Sequence, residues 1–238
     1  ISGEDFFSDF LMPAFRTLRA EMNGRFPVVF IILGNDDPRI EEEYMFQGEQ
    51  EGLWIYMHNR KVDFGEFTVY GYACIPPSPF RLKDWERYDV SRYVDPGCTS
   101  PAEGIRTVDP GEDIEYCTIQ KDLAALAGED DLSRAIFLFH SPPYQTNLDR
   151  AALDGIQVDH VPLDVHVGSI AIKRFIEERK PMLTLHGHVH ESARITGQWW
   201  EKIGNTCAMN AATDQQGLSL VIIPLDHPAA AERIITGT

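Results

Sequence analysis

Three short apolar runs, at residues 27–33, 134–139 and 181–185, each stop abruptly at a cluster of polar side chains, and no other feature constrains the fold as tightly. The first gives way to Gly34-Asn35-Asp36-Asp37, the second to His140, and the third to His186-Gly187-His188-Val189-His190. Runs this short read as strands buried on both faces, as in a sheet covered by helices. Helical patterns lie between them. Phe6, Phe7, Phe10, Leu11, Ala14, Phe15 and Leu18 follow helical spacing over 5–21, residues 119–127 read as a short helix, and Ser169 is placed to cap a helix over 170–179. Strands and helices in alternation predict an α/β fold, and in open α/β sheets ligands bind at the carboxyl ends of the strands.

The remaining segments are less regular. Residues 41–54 are acidic and partly helical in pattern, and 62–72 alternate around Gly65 as paired strands joined by a turn. The stretch 75–111 is rich in Pro, Gly and charge and reads as a long ordered loop. Loops of this length are often functional. The choice here is between a lid or specificity loop and an ordered surface insertion or partner contact, with Trp85, Tyr88 and Tyr93 available to pin it. The tail alternates short strands, clearest over 218–225. A chain of 238 residues suffices for one sizeable core, so a single domain over 1–238 is the expectation.

The formal net charge of −16 repels nucleic-acid backbones at long range and disfavours a nucleic-acid partner. Bound divalent cations would reverse that potential locally and leave room for a phosphorylated small molecule. Cys74, Cys98, Cys117 and Cys207 are widely spaced with no Cys-x-x-Cys pair, which predicts reduced thiols and a cytoplasmic protein. No apolar run is long enough to cross a bilayer. Nothing in the pattern sets an oligomeric state. The chain opens at Ile1-Ser2-Gly3 without an initiator Met, and residues upstream of it are expected.

The three strand ends share a chemistry. Gly34 permits a sharp turn into three oxygen-bearing side chains, Asn35, Asp36 and Asp37, which suit either ligation or an ordinary Asx-capped turn. His140 directly follows an apolar strand, and Pro142-Pro143 fix the exit of the chain behind it. Three imidazoles within 186–190 are hard to explain by packing, and neutral imidazole is the commonest nitrogen ligand of transition metals. Gly187 lets the backbone bend so that two rings can face one point; His186, on the strand side of that glycine, is the one expected to be structural.

The order Gly-Asn-x-Asp, strand-His, Gly-His-x-His over residues 34–210 resembles the calcineurin-like metallophosphoesterases, the purple-acid-phosphatase-like superfamily. The resemblance implies a two-sheet β-sandwich flanked by helices, in four α/β/β/α layers, with two divalent metal ions at the strand ends. Asn35, His140 and His188 would hold one ion, and His190 would serve the other. Two departures stand out. The family's Asp-x-His and Gly-Asp-x-x-Asp motifs are absent ahead of Gly34; Gly3-Glu4-Asp5 is at most a degenerate second motif, and the N-terminal strand and first ligands are expected to lie upstream of this chain. Asp36 also replaces the histidine that is the family's candidate proton donor. It is a catalytic candidate only if its pKa is raised, and otherwise holds its loop, water or substrate.

The implied reaction is metal-dependent phosphoester hydrolysis, phosphodiesterase or phosphomonoesterase, by metal-activated hydroxide, with manganese, iron or zinc suited to the mixed N and O ligands. Asp37 is placed to orient a ligand, and Tyr144, with Thr146, Asn147 and Asp149, to line a substrate pocket. His58, His160, His166 and His227 match no motif and read as structural or exposed. The alternative is a non-catalytic scaffold of the same fold, favoured by Asp36 and by the missing ligands. A nuclease is disfavoured by the charge and by the lack of a basic, aromatic-rich groove.

Overall fold

In the computed structural model, which describes residues 5–237, a π-helical turn at Phe6–Leu11 leads into α1 (Met12–Glu21), β1 (Phe30–Ile31), α2 (Glu42–Gln50), β2 (Ile55–Tyr56), β3 (Arg60–Phe64) and β4 (Phe67–Tyr72). After the long loop come α3 (Ile119–Ala127), β5 (Ala135–Phe139), β6 (Gln157–Val158), β7 (Val161–Pro162), α4 (Ile170–Arg179) and β8 (Leu183–His186). The chain closes with α5 (Ser192–Thr196), β9 (Trp200–Ile203), β10 (Thr206–Asn210), β11 (Leu218–Ile222) and β12 (Glu232–Thr236). Gly3 and Glu4 of the degenerate motif lie outside the described residues; Asp5 caps the first helical turn, accepting from Ser8 N–H at 2.8 Å.

Six strands form one mixed sheet in the order β3-β4-β5-β8-β10-β9, so the architecture is α/β with a helix-flanked sheet. The four central strands run parallel, and β3 and β9 pair antiparallel at the edges. Successive side chains of a strand point to opposite faces, and the sequence uses both. Tyr70, Tyr72, Phe137 and Phe139 pack on Ile119 and Leu123 of α3 and on Ile172, Phe175 and Ile176 of α4. Val69, Ile136, Leu183, Cys207 and Met209 form a second cluster with Phe30, Ile55 and Val221, contributed by β1, β2 and β11. The helices are locally specified: the side chains of Thr118 and Ser169 accept from the N–H of Lys121 and Ile172 at the starts of α3 and α4. Asp89, itself buried, adds bonds to Ser169 Oγ (2.6 Å), Ile170 N–H (2.6 Å) and Ala171 N–H (3.1 Å).

Two expectations need correction. The run at 27–33 is not a strand buried on both faces: only Phe30–Ile31 pair, in parallel with β2 and on one side, and Val28 is 54% exposed. The apolar set of 5–21 is helical, but Phe6, Phe10 and Leu18 face solvent while Phe7 and Met12 are buried, so the spacing specifies the helix and not what covers it. The 75–111 segment is an ordered loop, held by isolated bridges such as Ile75↔Glu86 and Leu82↔Ile105. Trp85 and Tyr88 are buried as its anchors; Tyr93 is exposed and anchors nothing.

Inside that loop Lys83 Nζ meets Glu86 Oε2 at 2.5 Å and Ser78 O at 2.9 Å, with neither charged side chain more than 1% exposed. Lys83→Met strands a buried carboxylate and is expected to lower stability by about 3–5 kcal/mol, read by urea unfolding. Burial also holds the His58 pKa down to about 3, and its Nδ1 accepts from Ala73 N–H at 3.2 Å. A histidine whose folded pKa is depressed stabilises the fold above its unfolded value near 6.5 and loses that contribution as pH falls toward the folded value. Between pH 6.5 and 3 the wild type is expected to lose up to about 1.4 kcal/mol per pH unit more than a His58→Gln variant does, measured by urea unfolding at stepped pH.

Candidate metal centre

Strands β5 and β8 are parallel neighbours, with Leu138 opposite Leu185, so their carboxyl ends emerge side by side. Gly187 N–H donates to His140 O at 3.0 Å and locks the two ends together. The turn after β1 brings Asn35 to the same point. His140 Nε2–H and His188 Nδ1–H both donate to Asn35 Oδ1, each at 2.8 Å, and the two rings lie 5.1 Å apart between centroids. Residues 105 and 153 positions apart in the chain thus meet at one oxygen.

Each of the three is held from behind. Asp37 Oδ2 accepts from Gly34 N–H at 2.7 Å and Asp37 N–H returns to Gly34 O at 3.2 Å, closing the turn that presents Asn35. Burial pushes the Asp37 carboxyl up; the Gly34 N–H opposes this and the Asp36 charge adds to it. The long loop braces the same turn: Trp85 Nε1–H donates to Asp37 O at 2.7 Å, and Asp84 Oδ2 accepts from Arg39 N–H at 2.8 Å. Gly34 is required by space, because a Cβ there would sit 2.7 Å from His140 Cε1. His188 adopts φ +66°, the left-handed region that a non-glycine residue rarely occupies. Asn210 at the end of β10 steadies that bend, donating to Val189 O (3.3 Å) and Ser192 Oγ (3.0 Å). His186 is structural, buried against Phe139 and bonded to Ser141 O and Thr184 Oγ1.

The electrostatics favour neutral rings with lone pairs to give. Burial, with the neighbouring His188 and His190, holds the His140 pKa down to about 3. Burial holds that of His188 down to about 4, with the Asp36 charge opposing it and His190 reinforcing it. His190 is itself exposed, close enough to bear on both. Asp36 is exposed too, and its Oδ1 accepts from Asn35 Nδ2–H at 3.0 Å.

Donor atoms on one divalent transition-metal ion lie about 2.1 Å from it, hence about 3 Å from one another. The Asn35 oxygen sits at that separation from both ring nitrogens, so the three residues fit one ion with mixed N and O ligands. A second ion has only His190: among the described residues no group of three or more His, Cys, Asp or Glu side chains is placed to hold a metal.

Tyr144 is engaged by Asp164 and His166. Its hydroxyl donates to Asp164 Oδ2 at 2.6 Å, which pushes its pKa up to about 12, and its ring stands edge-on to His166 at 6.2 Å. Asp149 is not a pocket-lining residue but a fully buried hub that accepts from Gln145, Thr146 and Gly168 N–H and from His166 Nδ1–H. The Asp149–His166 pair has no sequence signal, since it joins irregular segments with no periodicity or motif; Trp85 is legible as a loop anchor, but its bond to Asp37 is not. Asn210, at the end of β10, and Ser192, at the start of α5, meet across 18 positions, a contact that no local pattern announces.

No family model matches the chain, and no curated protein matches it. Solved structures do. One crystal structure superposes with a TM-score of 0.57 at 17% identity, covering 98% of this chain and 74% of the other. The crystal structure of TT1561 of Thermus thermophilus gives a TM-score of 0.51 at 18% identity, covering 94% of this chain and 77% of the other. At these identities the likeness is one of fold.

Gly34→Ala tests the packing of the centre. It is expected to displace the His140 ring, weaken Mn²⁺ binding about tenfold or more, and cost about 1–3 kcal/mol in urea unfolding. Calorimetric titration with Mn²⁺ reads the first effect.

Proposed function

We propose that this chain is a metal-dependent phosphoester hydrolase of the calcineurin-like type, acting on a phosphorylated small molecule in the cytoplasm. The observation that carries the reading is the meeting of His140 Nε2 and His188 Nδ1 at Asn35 Oδ1, both at 2.8 Å, in the order and at the strand ends that the family motif requires. Among the described residues no helix is long and apolar enough to cross a membrane. The finer reading of the fold, a two-sheet, four-layer sandwich, is supported by Phe30, Ile55 and Val221 packing with Val69, Ile136, Leu183 and Met209 in a cluster separate from the one that holds α3 and α4.

Asn35, His140 and His188 would hold the first divalent ion, manganese, iron or zinc, and His190 would contribute to a second. Bound there, such ions supply positive charge that polarises phosphoryl oxygens and lowers the pKa of water. The chain's own residues do the rest. Burial keeps the two ligand imidazoles neutral, so a cation would need only a change of tautomer that moves each N–H off the nitrogen facing Asn35, with no net proton released. His190 and Asp36 are the exposed groups beside the centre and are accessible to an ester in solution. Departure of the leaving oxygen needs a proton, and Asp36 stands at the position of the family's donor.

Manganese-dependent hydrolysis of bis-(p-nitrophenyl) phosphate is the direct test. His188→Ala is expected to reduce the rate at least about 100-fold. Metal-loaded protein inactive on a panel of phosphomonoesters and diesters would contradict the assignment. A non-catalytic scaffold is the second reading, favoured by the incomplete donor set around His190. Metal analysis separates them: two tightly bound ions support the enzyme, and none or one loosely held ion supports the scaffold.

A further inference from the structure

We propose that Asp36 is a positioning residue that selects which end of the Asn35 amide faces the histidine pair; this rests on the metal-centre reading above and deepens it. A carboxamide has an acceptor end and a donor end of nearly the same shape, and a half-turn of the side chain exchanges them. Only the oxygen can ligate a cation. With the amide turned the other way, its NH₂ would face the two imidazoles and leave no oxygen for an ion.

Asn35 Oδ1 lies 2.8 Å from both ring nitrogens, while Nδ2 points outward to Asp36 Oδ1 at 3.0 Å. Among the described residues Asp36 is the hydrogen-bond partner of that Nδ2. An ionised carboxylate only accepts, so it pairs with the NH₂ end and repels the oxygen end. The histidines cannot make the choice as firmly, because each neutral ring can present either N–H or a lone pair. Asp36 therefore breaks the symmetry and aims the oxygen inward before an ion arrives, sparing the reorganisation that an unoriented amide would require. Its exposure suits this role, since a side chain that only accepts one hydrogen bond needs no burial. It also gives a reason for an acidic residue at the position of the family's proton-donating histidine.

The test uses the 238-residue chain stripped of metal and titrated calorimetrically with Mn²⁺. Asp36→Ala is expected to weaken binding about 10- to 100-fold, the usual cost of losing an orienting partner. Asp36→Asn, whose side-chain oxygen can still accept from Asn35, is expected to restore most of that loss. In an Asn35→Asp background, where both ends of the side chain are oxygens, Asp36→Ala is expected to have no further effect on affinity, a non-additivity that a general structural role would not produce. Independently of metal, the Asn35 side-chain amide protons in the metal-free protein are expected to exchange slowly in the wild type and fast in Asp36→Ala, read by ¹⁵N–¹H spectra.

Wild-type affinity in Asp36→Ala would overturn the proposal. So would Asp36→Asn binding as weakly as Asp36→Ala, which would assign the effect to charge. Activity lost in both variants with Mn²⁺ affinity intact would make Asp36 a proton donor instead. A wild type that binds no Mn²⁺ at all would sink the metal reading, while amide exchange would still decide whether Asp36 holds Asn35.

Discussion

One amide oxygen accepting from two imidazoles is the constraint around which the rest of this molecule is arranged. Asn35 Oδ1 can meet His140 and His188 together only because β5 and β8 are parallel neighbours whose ends are tied by Gly187 N–H to His140 O. The sheet must be parallel there for both ends to emerge on one edge, and parallel pairing in turn requires helical crossovers such as α4. The apolar side chains of β4, β5 and β8, buried in two clusters, are what fix the register. Burial of the rings follows from the same packing, and burial is the first cause of their low basicity.

The long 75–111 loop belongs to this arrangement as a brace. Its internal Lys83–Glu86 pair is buried, an arrangement costly in desolvation and tolerable only with every partner in place. What that order supports is visible at its contacts: Trp85 and Asp84 hold the backbone from Asp37 to Arg39, and Asp89 caps the helix that crosses from β5 to β8. The loop thereby steadies one of the three segments that meet at Asn35 and the helix that links the other two. At His188 a left-handed backbone, φ +66°, goes with a ring turned back toward Asn35.

Much of this is legible in the sequence wherever the determinant is local. Thr118 and Ser169 announce their helices by capping, and the observed α3 and α4 span 119–127 and 170–179, the ranges that the pattern predicts. The apolar runs before His140 and His186 form β5 and β8, and Gly187 between two histidines points to a bent backbone. What is not legible depends on distant partners. The 27–33 run is as apolar as the other two, yet only two of its residues pair, because a strand's burial is decided by neighbours its own sequence does not specify. Phe6 and Phe10 carry helical spacing and still face solvent. Asp149 and His166 sit 17 positions apart in irregular chain, and no spacing rule joins them. In the sequence Asp36 is one of three oxygen-bearing side chains after Gly34, and its hydrogen bond to Asn35 emerges only from coordinates.

The central claim is that Asn35, His140 and His188 form one cation pocket. Anomalous diffraction from a crystal of this chain soaked in Zn²⁺, collected on both sides of the zinc edge, tests it most directly. The account predicts a peak about 2.0–2.2 Å from Asn35 Oδ1, His140 Nε2 and His188 Nδ1. A zinc peak bound elsewhere with this pocket empty, or the three side chains turned apart around bulk solvent, would contradict it.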